Sequence, residues 1–244
     1  MDRRLLGFVV LLAPVLGWSA VGPYDRFTWF LEVAPIFVGL PLAFAVQHRF
    51  RLSSLLLVLL WWHCVILIFG GHYTYARVPL GNWAREWFGW TRNNYDKLGH
   101  FAQGFVPAIL TREILIRTSP LGGRAVAGVA DPGTVFAKVY PPVAAAKATR
   151  ATEDKPATIN TVSRPSRWLG FLCVSVCLAF SALYELIEWQ VAVTSGKAAD
   201  DFLGTQGDPW DTQSDMAWAL IGAIVALTLL SRWHDRSLAR SSMA

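Results

Sequence analysis

Charged residues are scarce in this 244-residue chain: Asp, Glu, Lys and Arg make up 16% of it, against 54% hydrophobic residues. Soluble domains carry closer to about a quarter, so the chain lacks the polar surface a water-exposed globule needs. A soluble α/β domain and a disordered chain are both excluded. Cysteine is scarce too. Cys64, Cys173 and Cys177 all sit in apolar runs, and Cys173 and Cys177 lie one helical turn apart, where a disulfide would be strained. There is no Cys-x-x-Cys pair, which excludes a disulfide scaffold and a cysteine metal knuckle. Also missing are a nucleotide-binding glycine loop, a nucleophile elbow and a zinc-protease helix motif.

What the chain does have is 12 Trp, 14 Phe and 19 Gly, residues that membrane spans and their interfaces favour. Crossing a hydrocarbon core of ~30 Å takes about 20 apolar residues as helix. Six segments qualify: 5–22, 28–46, 52–71, 98–117, 168–192 and 213–231. Lipid offers no partner to unpaired backbone groups, so all six are predicted as helices of an all-α, polytopic membrane bundle. The first has Arg3 and Arg4 ahead of an apolar run, like a signal peptide. Trp18 stands where cleavage after Ala20 would want a small residue, so the segment reads as an uncleaved anchor.

The net charge of +5 does not point to nucleic acid, because the basic residues are divided by loop rather than gathered into a recognition element. They fit membrane orientation instead. With a cytoplasmic N-terminus, 16 of the 22 Lys and Arg fall inside; Arg26, Arg77, Arg85, Arg92, Lys97 and Lys197 fall outside. Both termini are then cytoplasmic, and segments 23–27, 72–97 and 193–212 face out. The chain divides into helices one to four (1–117), a loop (118–167), helices five and six (168–232) and a cytoplasmic tail (233–244). The loop is rich in Ala, Pro, Thr, Lys and Arg, lacks helical periodicity, and reads as disordered.

Most polar residues that call for explanation fall at the outer level. Asp96, His100 and Gln103 follow i, i+4, i+7 and share a helical face. Asn93 or Asn94 can cap that helix. Glu185 and Glu188 end the fifth helix, and Asp211 and Asp215 begin the sixth. Glu32 starts at the same level. An ionised carboxylate in lipid is costly, so such groups turn inward and pair; Lys97, Arg77 and His100 are the cations at hand. Two chemistries fit this set. Asp96, His100, Asp211 and Asp215 suit a divalent metal with an open position that activates water. Alternatively, a carboxylate–imidazole pair, Asp96 or Glu185 with His100, serves as general base. Asp96, His100, Glu185 and Asp215 are the catalytic candidates, with His72, Tyr75, Arg77, Lys97 and Glu188 as substrate-binding candidates. The structural alternative has Asp211 capping helix six, Asp215 pairing with Lys97 and Glu185 bonded to His100. Asp200 and Asp201 read as solvated loop residues.

Three further features have structural readings. His63, beside Trp61 and Trp62, is a hydrogen-bonded core histidine by default. Trp83, Trp87 and Trp90 look like an interfacial anchor, with 81–90 a short amphipathic helix on the membrane. Ala219, Gly222, Ala223 and Ala226 give helix six a small face for close contact.

The blocks Gly71-His72-Tyr73-Thr74-Tyr75, Arg92-Asn93-Asn94-Tyr95-Asp96-Lys97-Leu98-Gly99-His100-Phe101, Tyr184-Glu185-Leu186-Ile187-Glu188-Trp189 and Asp201 to Met216 resemble the YjdF-like bacterial inner-membrane family. The resemblance covers about residues 5–117 and 168–232. It implies a bacterial cytoplasmic membrane and a compact helical fold, and assigns no activity. A weaker similarity, to VanZ-like membrane proteins, rests on Asp96, Lys97, His100 and Phe101 and loosely on Glu185, Asp211 and Gly222; Asp215 departs from that pattern. The leading functional expectation is an envelope protein whose outer site binds or acts on a lipid-linked or envelope substrate among membrane lipids. The alternatives are a small proton-coupled transporter, with Glu32, His63 and Glu185 along its path, and a scaffold without chemistry.

Overall fold

The structure, a computed structural model, describes residues 2–122, 166–195 and 205–241. Among them the regular elements are all helical: α1 (Arg3–Ala20), α2 (Arg26–Val46), α3 (Ser54–Tyr73), α4 (Pro79–Phe88), α5 (Tyr95–Thr118), α6 (Arg167–Ser195) and α7 (Asp211–Ser241), with single 3₁₀ turns at Tyr75–Arg77 and Pro120–Gly122. Asp2, Asp25 and Ser53 cap α1, α2 and α3 through side-chain oxygens that accept backbone N–H bonds. Pro14, Pro35, Pro41 and Pro107 sit inside helices, which membrane-spanning helices tolerate.

Helices α1, α2, α3, α6 and α7 are long and apolar enough to cross a membrane. The sixth span is α5. Its 24 residues are long enough, but they include Asp96, Lys97, Arg112 and Glu113, and all four are buried. The bundle is thus built around a helix with four buried charged residues. Its outer surface is apolar instead, with Val10, Leu11, Phe30, Val38, Phe171, Phe180, Leu186 and Leu229 all exposed, the arrangement of a protein solvated by lipid.

The long helices alternate in direction. At one end the N–H of Asp2 bonds Gln47 Oε1 (3.0 Å), and the N–H of Leu55, in the first turn of α3, bonds Ser237 Oγ of α7 (3.1 Å). At the other, His72 at the end of α3 donates to Ser19 O at the end of α1 (2.9 Å). The 118–167 segment lies outside the described residues for most of its length, but its edges meet: the N–H of Ser166 bonds Leu121 O at 3.0 Å. Helix α7 runs on to Ser241, beyond the apolar stretch that suggests an end at 231. Its extension keeps His234 and Leu238 buried.

The tightest contact joins α5 and α7. A Cβ on Gly104 would lie 2.6 Å from the carbonyl carbon of Ala219, and one on Gly222 would lie 3.0 Å from that of Phe101. Ala219, Ala223 and Ala226 are fully buried beside them, so the small face does bring two backbones together. A separate cavity of about 540 Å³ lies among α1, α2, α3 and α5. His63 and Cys64 line it, among Leu, Phe, Pro and Ile side chains.

Candidate functional site

The site is assembled at the start of α5 by one buried amide. Asn93 Oδ1 accepts the Tyr95 N–H (3.0 Å) in a turn just before α5, whose N-cap position is Asn94, while its Nδ2 donates to Val78 O (3.0 Å) and Asn82 Oδ1 (2.9 Å) of the α4 region. The Asn93 backbone is held in turn by the Gln206 side chain, at 3.0 and 2.9 Å. The segment before α7 is thereby fixed against α5, and Asp208, Asp211 and Asp215 face Arg92, Asp96, Lys97 and His100.

Two cations organise the carboxylates. Lys97 Nζ lies 2.7 Å from Asp211 Oδ1, 2.7 Å from Asp215 Oδ1 and 3.5 Å from Asp96 Oδ2. Arg92 reaches Asp211 Oδ1 (2.6 Å), Asp96 Oδ2 (3.2 Å) and Asp208 Oδ2 (3.2 Å). Burial by itself would disfavour the Arg92 charge; the hydrogen bond and charge of Asp211, with Asp96 and Asp208, outweigh it and raise the guanidinium above its ordinary value. Beyond these pairs stands the imidazole. His100 Nδ1 is 2.9 Å from Gln103 Oε1, and Nε2 faces Asp96 Oδ1 at 3.4 Å and Asp215 Oδ2 at 3.7 Å. Glu185 Oε1 lies 3.8 Å from His100 Nδ1, too far for a hydrogen bond, and has no hydrogen-bond partner among the described residues although its side chain is only 5% exposed.

The remaining sequence candidates divide. Glu32 accepts from Tyr184 at 3.3 Å, and the Tyr184 ring stands 6.3 Å from that of His100, which places Glu32 beside the cluster. Glu188 interacts electrostatically with Glu185, His100 and Glu32. Tyr75 is wedged between Gly70 and Gly99, where a Cβ on either would strike its ring. Burial pushes its phenol well above the usual range, and the charge of Glu32 adds to this. His72 and Arg77 make their contacts elsewhere, because the end of α3 turns them toward α1 and α2. His72 packs on Trp18 at 4.4 Å, and Arg77 lies over the Tyr24 ring at 4.0 Å. Asp200 and Asp201 lie outside the described residues.

Sequence reasoning missed two things. Arg92 lies outside the apolar spans, and its signal was the i, i+4 spacing to Asp96. The other is a second buried network at the opposite end. Glu113 Oε1 accepts from the Ser53 N–H (2.9 Å) and from Arg117 (3.1 Å), and its Oε2 accepts from His234 Nε2 (3.0 Å). Arg112 donates to His234 Nδ1 at 2.8 Å and pairs with Asp235 at 2.8 Å. This network ties α3, α5 and α7 together, and both oxygens of Glu113 are occupied in it.

Residues 4–236 match the family model described as "Predicted membrane protein (DUF2238)". The chain belongs to this family. It is also similar to "Inner membrane protein YjdF" of Escherichia coli (strain K12), with 41% identity over 229 residues, covering 94% of this chain and 90% of that protein. No solved structure matches it significantly. This family member is therefore a multi-pass inner-membrane protein of the YjdF type, as its sequence blocks suggest. The polar cluster lies within the matched region, since Arg92 to His100, Glu185 and Asp208 to Asp215 all fall between residues 4 and 236.

Proposed function

We propose that the protein binds and acts on a lipid-linked or other envelope substrate at the extracytoplasmic face of the inner membrane, with both termini in the cytoplasm. The observation that carries this reading is the convergence of Arg92, Asp96, Lys97, His100, Glu185, Asp211 and Asp215 at one end of a bundle whose outside is apolar. Buried charge of this density is expensive in a membrane and marks function by default. The segregation of Lys and Arg supports placing this end outside.

The site's own charge limits what it accepts. Arg92 and Lys97 are each already surrounded by carboxylates, so a bare phosphate finds no cation to itself. Glu185 Oε1 offers an acceptor instead, which suits a head group rich in hydroxyl or ammonium donors. A transport path finds less support. Apart from His63, Cys64 and Thr118, the cavity that His63 lines is apolar and includes no charged residue, so the polar residues near Glu32 and Glu185 do not continue through it.

The test is complementation of a deletion strain by His100→Ala, Glu185→Ala and Asp215→Ala, with membrane levels checked by immunoblot. The reading expects lost complementation at normal levels. Full complementation by all three would refute it, and lower protein levels with restored function per molecule would favour a scaffold.

A further inference from the structure

Resting on that site reading, we infer that Asp96 Oδ1, His100 Nε2 and Asp215 Oδ2 form a site for one first-row divalent cation of the Zn²⁺ or Mn²⁺ class. The three residues can each turn one ligand atom to a common point, with all three atoms within 4.8 Å of one another. Ligands bonded at about 2.0–2.1 Å around a tetrahedral ion stand roughly 3.4 Å apart. The distances from Nε2 to the two carboxylate oxygens, 3.4 and 3.7 Å, already approach that spacing.

The neighbours of each ligand reinforce this. Asp96 turns Oδ2 to Arg92 and Lys97, and Asp215 turns Oδ1 to Lys97. Each carboxylate is thus oriented by one oxygen and presents the other to the imidazole. Gln103 Oε1 accepts from His100 Nδ1, which leaves the Nε2 lone pair aimed between them, the usual outer-shell arrangement of a ligating histidine. Asp211 is not part of this set, because its Oδ1 takes both Arg92 and Lys97.

Glu185 supplies an independent sign. Its Oε1 is buried beside the same imidazole without a donor among the described residues, and buried acceptors are seldom left so. A water carried by the cation would give it one. Charge balance points the same way: among the described residues, Asp96, Asp208, Asp211, Asp215 and Glu185 face only Arg92 and Lys97 as permanent cations. An imidazole set between two carboxylates favours a first-row ion over Mg²⁺ or Ca²⁺.

The experiment uses full-length protein purified in mild detergent, stripped with a chelator, dialysed against Zn²⁺ or Mn²⁺, and analysed for metal by mass spectrometry. One ion per chain is expected in the wild type and in Glu86→Gln, which changes an exposed carboxylate of α4 that takes no part in the cluster. Loss is expected in His100→Ala and Asp215→Asn. A monodisperse wild type that takes up neither ion overturns the proposal, as does His100→Ala retaining as much as wild type; His100 would then be an imidazolium paired with the two aspartates. Should a variant fail to fold, the stripped wild type decides, since it must gain thermal stability on adding either ion. If no metal binds yet the alanine variants still fail to complement, the cation falls and the substrate reading stands. If metal binds and the alanine variants complement fully, the cation stands and the substrate reading falls.

Discussion

Gly104→Ala tests whether the α5–α7 contact holds the site together. The new methyl would stand 2.6 Å from the carbonyl carbon and 2.8 Å from the Cα of Ala219. Carbon atoms pack at about 3.5–4.0 Å, so the helices must part by roughly 1 Å. Both sides of the clash are backbone, and no side chain can rotate away. Overpacking costs about 1–3 kcal/mol where neighbours can adjust; with two rigid backbones we place the cost at the upper end, about 3 kcal/mol. For a chain of this size that lowers the melting temperature by ~6–12 °C. The same movement would stretch the 2.7 Å contact between Lys97 on α5 and Asp215 on α7 past hydrogen-bond length. Gly222→Ala should behave alike, because its methyl meets Phe101 and the Phe105 N–H group. Gly17→Ala is the control: its Cβ would meet open space within α1, and a helical Gly→Ala change there gains about 0.5–1 kcal/mol. The assay is thermal unfolding in detergent, followed by size-exclusion recovery. If Gly104→Ala and Gly222→Ala both melt within about 2 °C of wild type, the close backbone packing does not exist as described.

Two other outcomes follow from the structure. Glu113→Ala strands the Ser53 N–H, His234 and Arg117 together, and removing one partner from such a buried pair costs about 3–5 kcal/mol; hydrogen exchange should accelerate in the first turn of α3, and unchanged exchange and melting would contradict the network. Trp87 is 83% exposed on α4, beside exposed Trp83 and Phe88, so a spin label at Trp87→Cys in a background lacking Cys64, Cys173 and Cys177 should be oxygen-accessible at head-group depth; a label seen only by water-soluble relaxants would show that α4 stands off the membrane.

The spans were legible because apolar runs of this length admit no other structure in lipid. Their ends were less so. Helix α7 loses its apolar character around Arg232, yet it continues as a helix because His234 and Leu238 pack inward, a fact of tertiary contact that hydropathy does not register. Within the site, the Asp96, His100 and Gln103 face could be read from spacing because helical period alone sets it. Arg92 had only its i, i+4 spacing to Asp96 to show it, since it precedes the helix and meets Asp208 and Asp211 only once Gln206 has fixed the later segment. Glu113 shares no helical-spacing signal with the site; its partner His234 is visible only when α7 is seen to extend. His72 and Arg77 share a chain segment with Tyr75, but the turn after α3 sends them to the far side.

The polarity of α5 has a consequence for how the protein is made. Among the described spanning helices it alone falls short of the apolarity that lets a segment stay in lipid by itself, and each charged residue deep in a span adds about 2.5–3.5 kcal/mol against insertion. Besides Asp96 and Arg117 on α5 itself, Lys97 and Arg112 pair with Asp211, Asp215 and Asp235, and Glu113 accepts from His234; these four lie on α7, which leaves the ribosome only after the 118–167 segment and α6 have been made. Nascent α5 must therefore wait, at the translocon or at the bilayer edge, until its last partner arrives. Completion of the polar cluster and commitment of α5 to the membrane become a single late event in biogenesis, so a chain truncated before α7 should lose α5 from the bilayer along with the site.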